Sequence, residues 1–254
     1  MSNINSNIDV GSYQLGQNHI IESIWLKFYN NNHGAWITKV EEAVKLHENL
    51  KKYNPKHILE LGTGIGCSTE IMAFTCPEAS IYTVEQSQKC IDTAKILIGE
   101  KMQEQIYFRK ANAGVTNPIY EVNPFQHWLA YDDYDWRNPD FIFVDGPGPI
   151  MTEKMNPKTG EIWKCLADLP GADVIYLLPR MKEGTIVYID HRKLMVMVYR
   201  RHLGHYLELV EDTKEYTVFK RNAVPLQNDL SDFVNKDTAY QNLLKNGYFD
   251  EIKP

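Results

Sequence analysis

Five short apolar runs recur between residues 57 and 190, and helical stretches lie between the earlier ones. They read HILELG (57–62), SIYTVE (80–85), QIYFRKA (105–111), PDFIFVDG (139–146) and GTIVYID (184–190). Runs this short and this rich in β-branched and aromatic residues are buried strands. Residues 67–75 read as a helix ended by Pro77. Ser87 caps a second one over 88–103, with Ile91, Ala94, Ile98 and Met102 on one face. Strands that alternate with helices form parallel sheets covered on both faces. The end of the chain breaks the rule. HYLELVED (205–212) and EYTVFKRN (215–222) are separated only by Thr213 and Lys214, so they must pair antiparallel. The expected fold is α/β: a seven-stranded, mostly parallel sheet, helices on both faces, and a C-terminal antiparallel hairpin.

Two amphipathic helices precede the alternation. One covers 19–31, with Ile20, Ile21, Ile24, Trp25 and Phe28 at helical spacing. The other covers 36–53, with Val40, Ala43, Val44, Leu46 and Leu50 as its stripe and Pro55 as its stop. The chain therefore divides into a helical extension (1–55) that begins with a loose polar stretch (1–18), a core (56–222) and a polar tail (223–254) with one helical stretch at 238–246. A net charge of −6 disfavours nucleic acid and membrane surfaces as partners, since both need a cationic field. Cys67, Cys76, Cys90 and Cys165 form no CxxC pair, which fits reduced thiols in the cytoplasm. No basic-then-apolar leader opens the chain, and no apolar run reaches the ~20 residues of a membrane helix. A homo-oligomer stays compatible with this pattern.

The first strand runs into the stretch ILELGTGIGCST, with glycines at 62, 64 and 66. Ligands of open α/β sheets bind outside the carboxyl ends of the strands, where this turn lies. Glycine there permits positive φ and lets a ligand approach the main chain, and the following helix offers free N–H groups. Glu85 ends the second strand about twenty residues on, where an acid accepts both hydroxyls of a ribose. The dinucleotide pattern G-x-G-x-x-G would need glycine at position 67, which is Cys67. The pattern here is G-x-G-x-G, with Glu60 two residues ahead of it. With Glu85 and the final hairpin, residues 36–221 resemble the class I S-adenosylmethionine (SAM)-dependent methyltransferases, which have a Rossmann-like sheet. The resemblance implies SAM as cofactor. Its methionine part would face the backbone of Gly62, Gly64 and Gly66. Glu60 would hold the ammonium group directly or through water, Glu85 the ribose and Asn112 the adenine amino group.

Methyl transfer from a sulfonium asks the protein mainly to align the nucleophile and to manage one proton. The sequence puts Asp145 after the fourth strand, and Asp190 and His191 after the fifth, on the rim that carries the glycines. This resembles the cation-dependent O-methyltransferase branch, in which an acid and an Asp-Asn pair hold a divalent metal; His191 stands in the place of that Asn. Two readings stay open. Asp145, Asp190 and His191 bind a metal, or His191 acts as a metal-free base, which Pro147 and Pro149 favour. Residues 147–171 hold no clean strand and read as a lid or substrate segment. HWLAYDDYDW (127–136), with Trp128, Tyr131, Tyr134 and Trp136, reads either as a clamp on a flat or cationic substrate or as an aromatic helix packed on the sheet. The basic spots at 191–193 and 200–202 read as an anion site or as a solvated helix face. The expected activity is SAM-dependent O-methylation of a small molecule. The alternatives are an NAD(P)-dependent oxidoreductase, an aminopropyltransferase, and a SAM-binding protein without turnover.

Overall fold

A computed structural model describes residues 19–225 apart from 33, 34, 36, 117–127, 134–137, 149, 156–161 and 168. The calls on the loose start (1–18), on Tyr134, Trp136 and Pro149 and on the tail helix at 238–246 lie outside the described residues.

The sheet forms as expected. Its strands are β1 (His57–Leu61), β2 (Ser80–Glu85), β3 (Ile106–Lys110), β6 (Phe141–Val144), β9 (Ile186–Ile189), β10 (Leu207–Asp212) and β11 (Thr217–Arg221). Their order is β10-β11-β9-β6-β1-β2-β3. Neighbours from β3 to β9 pair parallel, whereas β11 runs antiparallel to both β9 and β10. The hairpin thus folds back, so that its second strand docks on β9 and its first forms the edge. Thr213 closes the turn: its hydroxyl accepts the Glu215 and Tyr216 N–H groups at 3.2 and 3.0 Å.

Two apolar layers sandwich the sheet, and strand periodicity assigns the side chains to them. Ile58, Ile81, Phe141, Phe143, Ile186, Tyr188 and Val218 face α1 (His19–Asn30), α2 (Val40–Tyr53), α3 (Cys67–Thr75) and α4 (Gln88–Leu97). The alternate residues Leu59, Leu61, Val84, Ile142, Val144, Val187 and Phe219 face α6 (Asp173–Leu177) and α7 (Lys193–Leu203). Burial on both faces explains why these strands read as continuous apolar runs. Asn54 ends α2 in the left-handed region (φ 45°), just ahead of Pro55.

Three stretches depart from the sequence reading. The helix expected over 88–103 stops at Leu97, and a single turn, α5 (Glu100–Gln103), restarts after Gly99. Ile98 and Gly99 both have extended backbone, so the glycine breaks an otherwise continuous apolar stripe. Residues 147–171, expected to hold no strand, contain β7 (Ile150–Met155) paired antiparallel with β8 (Ile162–Ala167). The turn signals Pro157 and Gly160 lie between them. Residues 127–136 hold no helix among the described positions: Trp128–Tyr131 is strand β5, paired with β4 (Ala113–Thr116). Trp128 and Tyr131 are fully buried in the α7-side layer, so neither clamps a ligand from the surface.

Gly62 is required by the close approach of two strand ends. Its φ is +101°, and a Cβ there would lie 2.8 Å from both Asp145 C and Gly146 N. Gly184 has a similar φ (+86°) but open space around it. Gly62→Ala is expected to cost about 2–4 kcal/mol of stability in urea unfolding, strain and clash together. Gly184→Ala should cost only the strain, about 1–2 kcal/mol. Equal losses would show that the strand-end contact contributes nothing.

Candidate functional site

The pairing register carries the candidate residues to one line. Leu61 lies opposite both Val84 and Val144, and Val144 lies opposite Ile189. One residue further, Glu85, Gly62, Asp145 and Asp190 stand side by side on the carboxyl rim. The parallel ladder continues through them: Gly62 N–H donates to Val84 O (2.9 Å), Asp145 N–H to Leu61 O (2.9 Å) and Asp190 N–H to Val144 O (3.3 Å).

On the β1–β2 side the glycine turn and the two acids interlock. Gly62, Gly64 and Gly66 all have positive φ (101°, 51° and 96°). A Cβ on Gly66 would meet Ala94 Cβ and Ile98 Cδ1, both at 2.9 Å, so this glycine admits α4 against the start of α3. Glu85 accepts the Gly64 N–H (2.9 Å) on one carboxylate oxygen and the Ser87 N–H (2.8 Å) on the other. Burial raises its pKa against these two bonds and a third from the Gln86 backbone. The carboxylate still has lone-pair capacity for a ligand hydroxyl.

Glu60 is fully buried and points into the α3-side layer, away from the rim. It accepts hydrogen bonds from the hydroxyls of Ser68 (2.5 Å), Thr69 (2.6 Å) and Thr83 (2.6 Å). It thereby ties β1 to the first turn of α3 and to β2, and Thr63 extends the chain of hydroxyls at 2.5 Å from Thr83. Burial outweighs the three hydroxyl bonds and pushes Glu60 up to about 7.

Asn112 follows β3, but its side chain is engaged within the protein. Its amide nitrogen donates to Asp132 (3.1 Å) and its carbonyl oxygen accepts from Lys110 (3.2 Å). Asp132, just after β5, also accepts the Asn112 main-chain N–H at 2.8 Å. This acid at the same corner was invisible to a reading that expected a helix here.

The β6–β9 side holds the densest charge. Asp190 Oδ2 lies 3.0 Å from His191 Nδ1, and Glu42 Oε1 of α2 lies 3.9 Å from the same nitrogen. An ionised carboxylate only accepts, so Nδ1 carries the proton and Nε2 the lone pair. The bond to Asp190 raises the His191 pKa against partial burial, and the charges of Asp190 and Glu42 add to it. Arg192, read from sequence only as part of a basic spot, lies between the two aspartates. Its Nε is 3.3 Å from Asp190 Oδ1 and its Nη2 is 3.4 Å from Asp145 Oδ1. Nη2 also donates to the Asp145 carbonyl, and Nη1 to the Pro147 carbonyl at 3.3 Å. Burial and the neighbouring Asp190 carboxyl, to which it is hydrogen-bonded, hold Asp145 well above the usual carboxylate range. Asp190 is held low against its burial by bonds from His191 and Asp145 and by Arg192. Of the pair, Asp145 is therefore the member that takes a proton more readily and Asp190 the one that holds its charge. With 32% of its side chain exposed against 7% for Asp190, Asp145 is the member open to a ligand.

The rest of the basic spot is spent elsewhere. Lys193 donates to Asp212 at 2.8 Å and Arg200 lies 3.9 Å from the same carboxylate, so both pin α7 to the hairpin. Among the described residues no group of three His, Cys, Asp or Glu side chains is placed to hold a metal ion. Asp145, Asp190 and His191 share a rim, but Arg192 lies between the first two, and this donor set does not fit a divalent ion.

Comparison with known proteins supports the fold. No protein-family model matches the chain. A protein-L-isoaspartate O-methyltransferase of Myxococcus xanthus (strain DK1622) is 28% identical over 98 residues, 39% of this chain and 44% of that protein. The chain thus matches less than half the length of this curated relative. A crystal structure from Staphylococcus aureus, assigned as a caffeoyl-CoA O-methyltransferase, superposes with a TM-score of 0.50 at 16% identity, over 80% of this chain and 92% of that one. The O-methyltransferase TomG of Streptomyces achromogenes, solved with SAM, gives a TM-score of 0.48 at 13% identity, over 80% and 89% of the two chains. The fold is the Rossmann-like fold of the class I methyltransferases.

The buried Glu60 makes stability depend on pH. Its folded pKa of about 7 exceeds the ordinary 4.5, so the folded state binds the extra proton between them. The stability this confers is complete below the lower value and is lost as pH rises through the upper one. Glu60→Gln should remove on the order of 3 kcal/mol of that decline. Urea unfolding at pH 5 and pH 8.5 checks it, and identical slopes in wild type and variant would refute it.

Proposed function

We propose that this chain is a SAM-dependent methyltransferase that methylates a hydroxyl oxygen of a small molecule. The observation that carries the proposal is the row Glu85, Gly62, Asp145, Asp190, which sets a glycine cradle beside a proton-handling cluster on one rim. The cradle suits SAM. Positive φ at Gly62, Gly64 and Gly66 bares the main chain, and the Glu85 carboxylate keeps lone pairs for the ribose. Glu60 shapes this turn from beneath through Ser68 and Thr69, and any hold on the ammonium group would run through that layer. Asn112 and Asp132 are the polar groups at the adenine corner. When bound, SAM would supply an electrophilic methyl carbon, the acceptor oxygen's lone pair forming the new C–O bond while the C–S electrons stay on sulfur as a neutral thioether.

The chain supplies the base. Asp190 orients His191 through Nδ1, and Nε2 takes the proton of the acceptor hydroxyl. Asp145, the open member of the pair, hydrogen-bonds the acceptor. An NAD(P) oxidoreductase would need its third glycine at position 67, where Cys67 is buried instead. Among the described residues no helix is long and apolar enough to cross a membrane. Cys67, Cys76 and Cys90 are free thiols. Burial pushes the first two up to about 12 and about 11, which suits a cytoplasmic protein with inert thiols.

Two experiments test the proposal. In a thermal-shift panel, SAM and S-adenosylhomocysteine should raise the midpoint while NAD, NADP and decarboxylated SAM do not. Glu85→Ala should weaken SAM binding about ten- to a hundredfold by calorimetry. An unchanged affinity in the folded variant would remove Glu85 from the site. The second is the pH profile. Only neutral His191 accepts a proton, so the rate should rise with pH through a midpoint above 6.5. His191→Ala should cost about 10²–10⁴-fold in kcat and erase that inflection. A variant that keeps the wild-type profile rules His191 out as the base.

A further inference from the structure

We propose that Arg192 is the resident cation of the acceptor site, its guanidinium filling the place between Asp145 and Asp190 that a divalent ion would otherwise take. The inference deepens the methyltransferase reading and rests on the same rim, but its test reads ion binding rather than turnover.

The register forces two acids side by side. Asp145 and Asp190 follow paired residues on adjacent parallel strands, so their separation is fixed by the sheet. Two carboxyl groups so close favour a proton on one of them, here Asp145, and a positive charge beside the other. Arg192 supplies that charge from the turn that follows Asp190. Its own N–H donates to the Asp190 carbonyl at 2.6 Å, which folds the turn back, and α7 starts at the next residue. The side chain then reaches across to β6.

Its contacts are those of a cation site. Asp190 Oδ1 and Asp145 Oδ1 both lie on the guanidinium, and the main-chain carbonyls of Asp145 and Pro147 complete the ring of oxygens. Asp190 Oδ1 and Arg192 Nε are both buried, make no regular hydrogen bond, and face each other as an ion pair across 3.3 Å. The second Asp190 oxygen faces His191 Nδ1, which withdraws that nitrogen from metal ligation as well. Both Asp190 oxygens, Asp145 Oδ1 and His191 Nδ1 are therefore directed to protein groups, which leaves His191 Nε2 outside this cluster as the base. Arg192 is only 18% exposed and cannot be deprotonated. A metal ion would have to expel it and leave a buried guanidinium without its partners. Arg192 is thus a positioning residue: it keeps Asp190 charged behind His191 and seats the Asp145 loop.

Titration with Mn²⁺, followed by water-proton relaxation and calorimetry, tests the assignment. Wild type should show no saturable Mn²⁺ site, and EDTA should leave its SAM affinity unchanged. Arg192→Ala should gain a saturable Mn²⁺ site, at least about tenfold tighter than the weak, non-saturating association of wild type. The additional change Asp190→Asn should abolish the new site, whereas Arg192→Lys, which restores a positive charge, should bind no Mn²⁺. A saturable Mn²⁺ site in wild type that Asp145→Asn or Asp190→Asn removes would overturn the proposal. So would a folded Arg192→Ala protein that gains no site. If Arg192→Ala does not fold, the wild-type titration with its two aspartate variants decides the matter.

Discussion

The parallel ladder between β2, β1, β6 and β9 is the constraint on which the candidate site depends. A parallel pair admits no freedom at its carboxyl end. Once Leu61 is fixed against Val84 and Val144, and Val144 against Ile189, the next residue of every strand is fixed too. Those residues are an acid, a glycine, an acid and an acid. A one-residue slip in any strand would turn its acid or glycine into the apolar layers, whose side chains alternate without a gap along each strand. The cores on both faces therefore hold the polar row in place, with no need for strong interactions among its members.

The buried acids in and beneath the row take their charge states from what surrounds each one. At one end Glu60 sits below the glycines in a cage of hydroxyls and is easily protonated. Hydroxyls are weak partners for a full charge, and burial wins. At the other end Asp190 has a cation on one side and an imidazole on the other, and its charge persists at similar burial. Two buried acids in one sheet thus take opposite protonation tendencies from local partners alone. The first suits a structural tie between β1, β2 and α3, the second an electrostatic support for a base.

The fold was legible because its signals are local and repeated. Apolar runs, Pro55, Pro77 and the two-residue gap at Thr213 and Lys214 each point the same way, and the observed sheet agrees with them. The misses have local causes as well. Gly99 lies inside a good helical stripe and breaks it. Trp128–Tyr131 carries aromatic residues that suit either helix or strand, and only the pairing with Ala113–Thr116 decides for strand. At the site, the sequence located the acids because strand ends are legible, but it could not tell inward from outward. Glu60 alternates into the α3 side, and Asn112 spends its side chain on Asp132 and Lys110. Arg192 was the least legible residue of all. In the run His191-Arg192-Lys193 three cations look alike, yet they part toward Asp190, Asp145 and Asp212. That separation depends on the turn between β9 and α7, which no spacing rule encodes.

The two halves of the rim meet at one point of backbone. Gly62 and Gly146 approach so closely that a Cβ on either would lie 2.8 Å from the other's main chain, and Tyr131 hydroxyl fills the space beside Gly146. The cradle side and the acid side are therefore not independent attachments to a common scaffold. A shift of the glycine turn must displace the Asp145–Gly146 peptide, and with it the carbonyl that Arg192 holds. Since Arg192 also bears on Asp190, and Asp190 on His191, a movement beginning at β1 reaches the imidazole through four contacts. Close-packed backbone transmits such displacements because it has no rotamer to absorb them. The tight approach of two glycines puts the groups that would hold a donor and those that would ready an acceptor on one continuous piece of packed backbone.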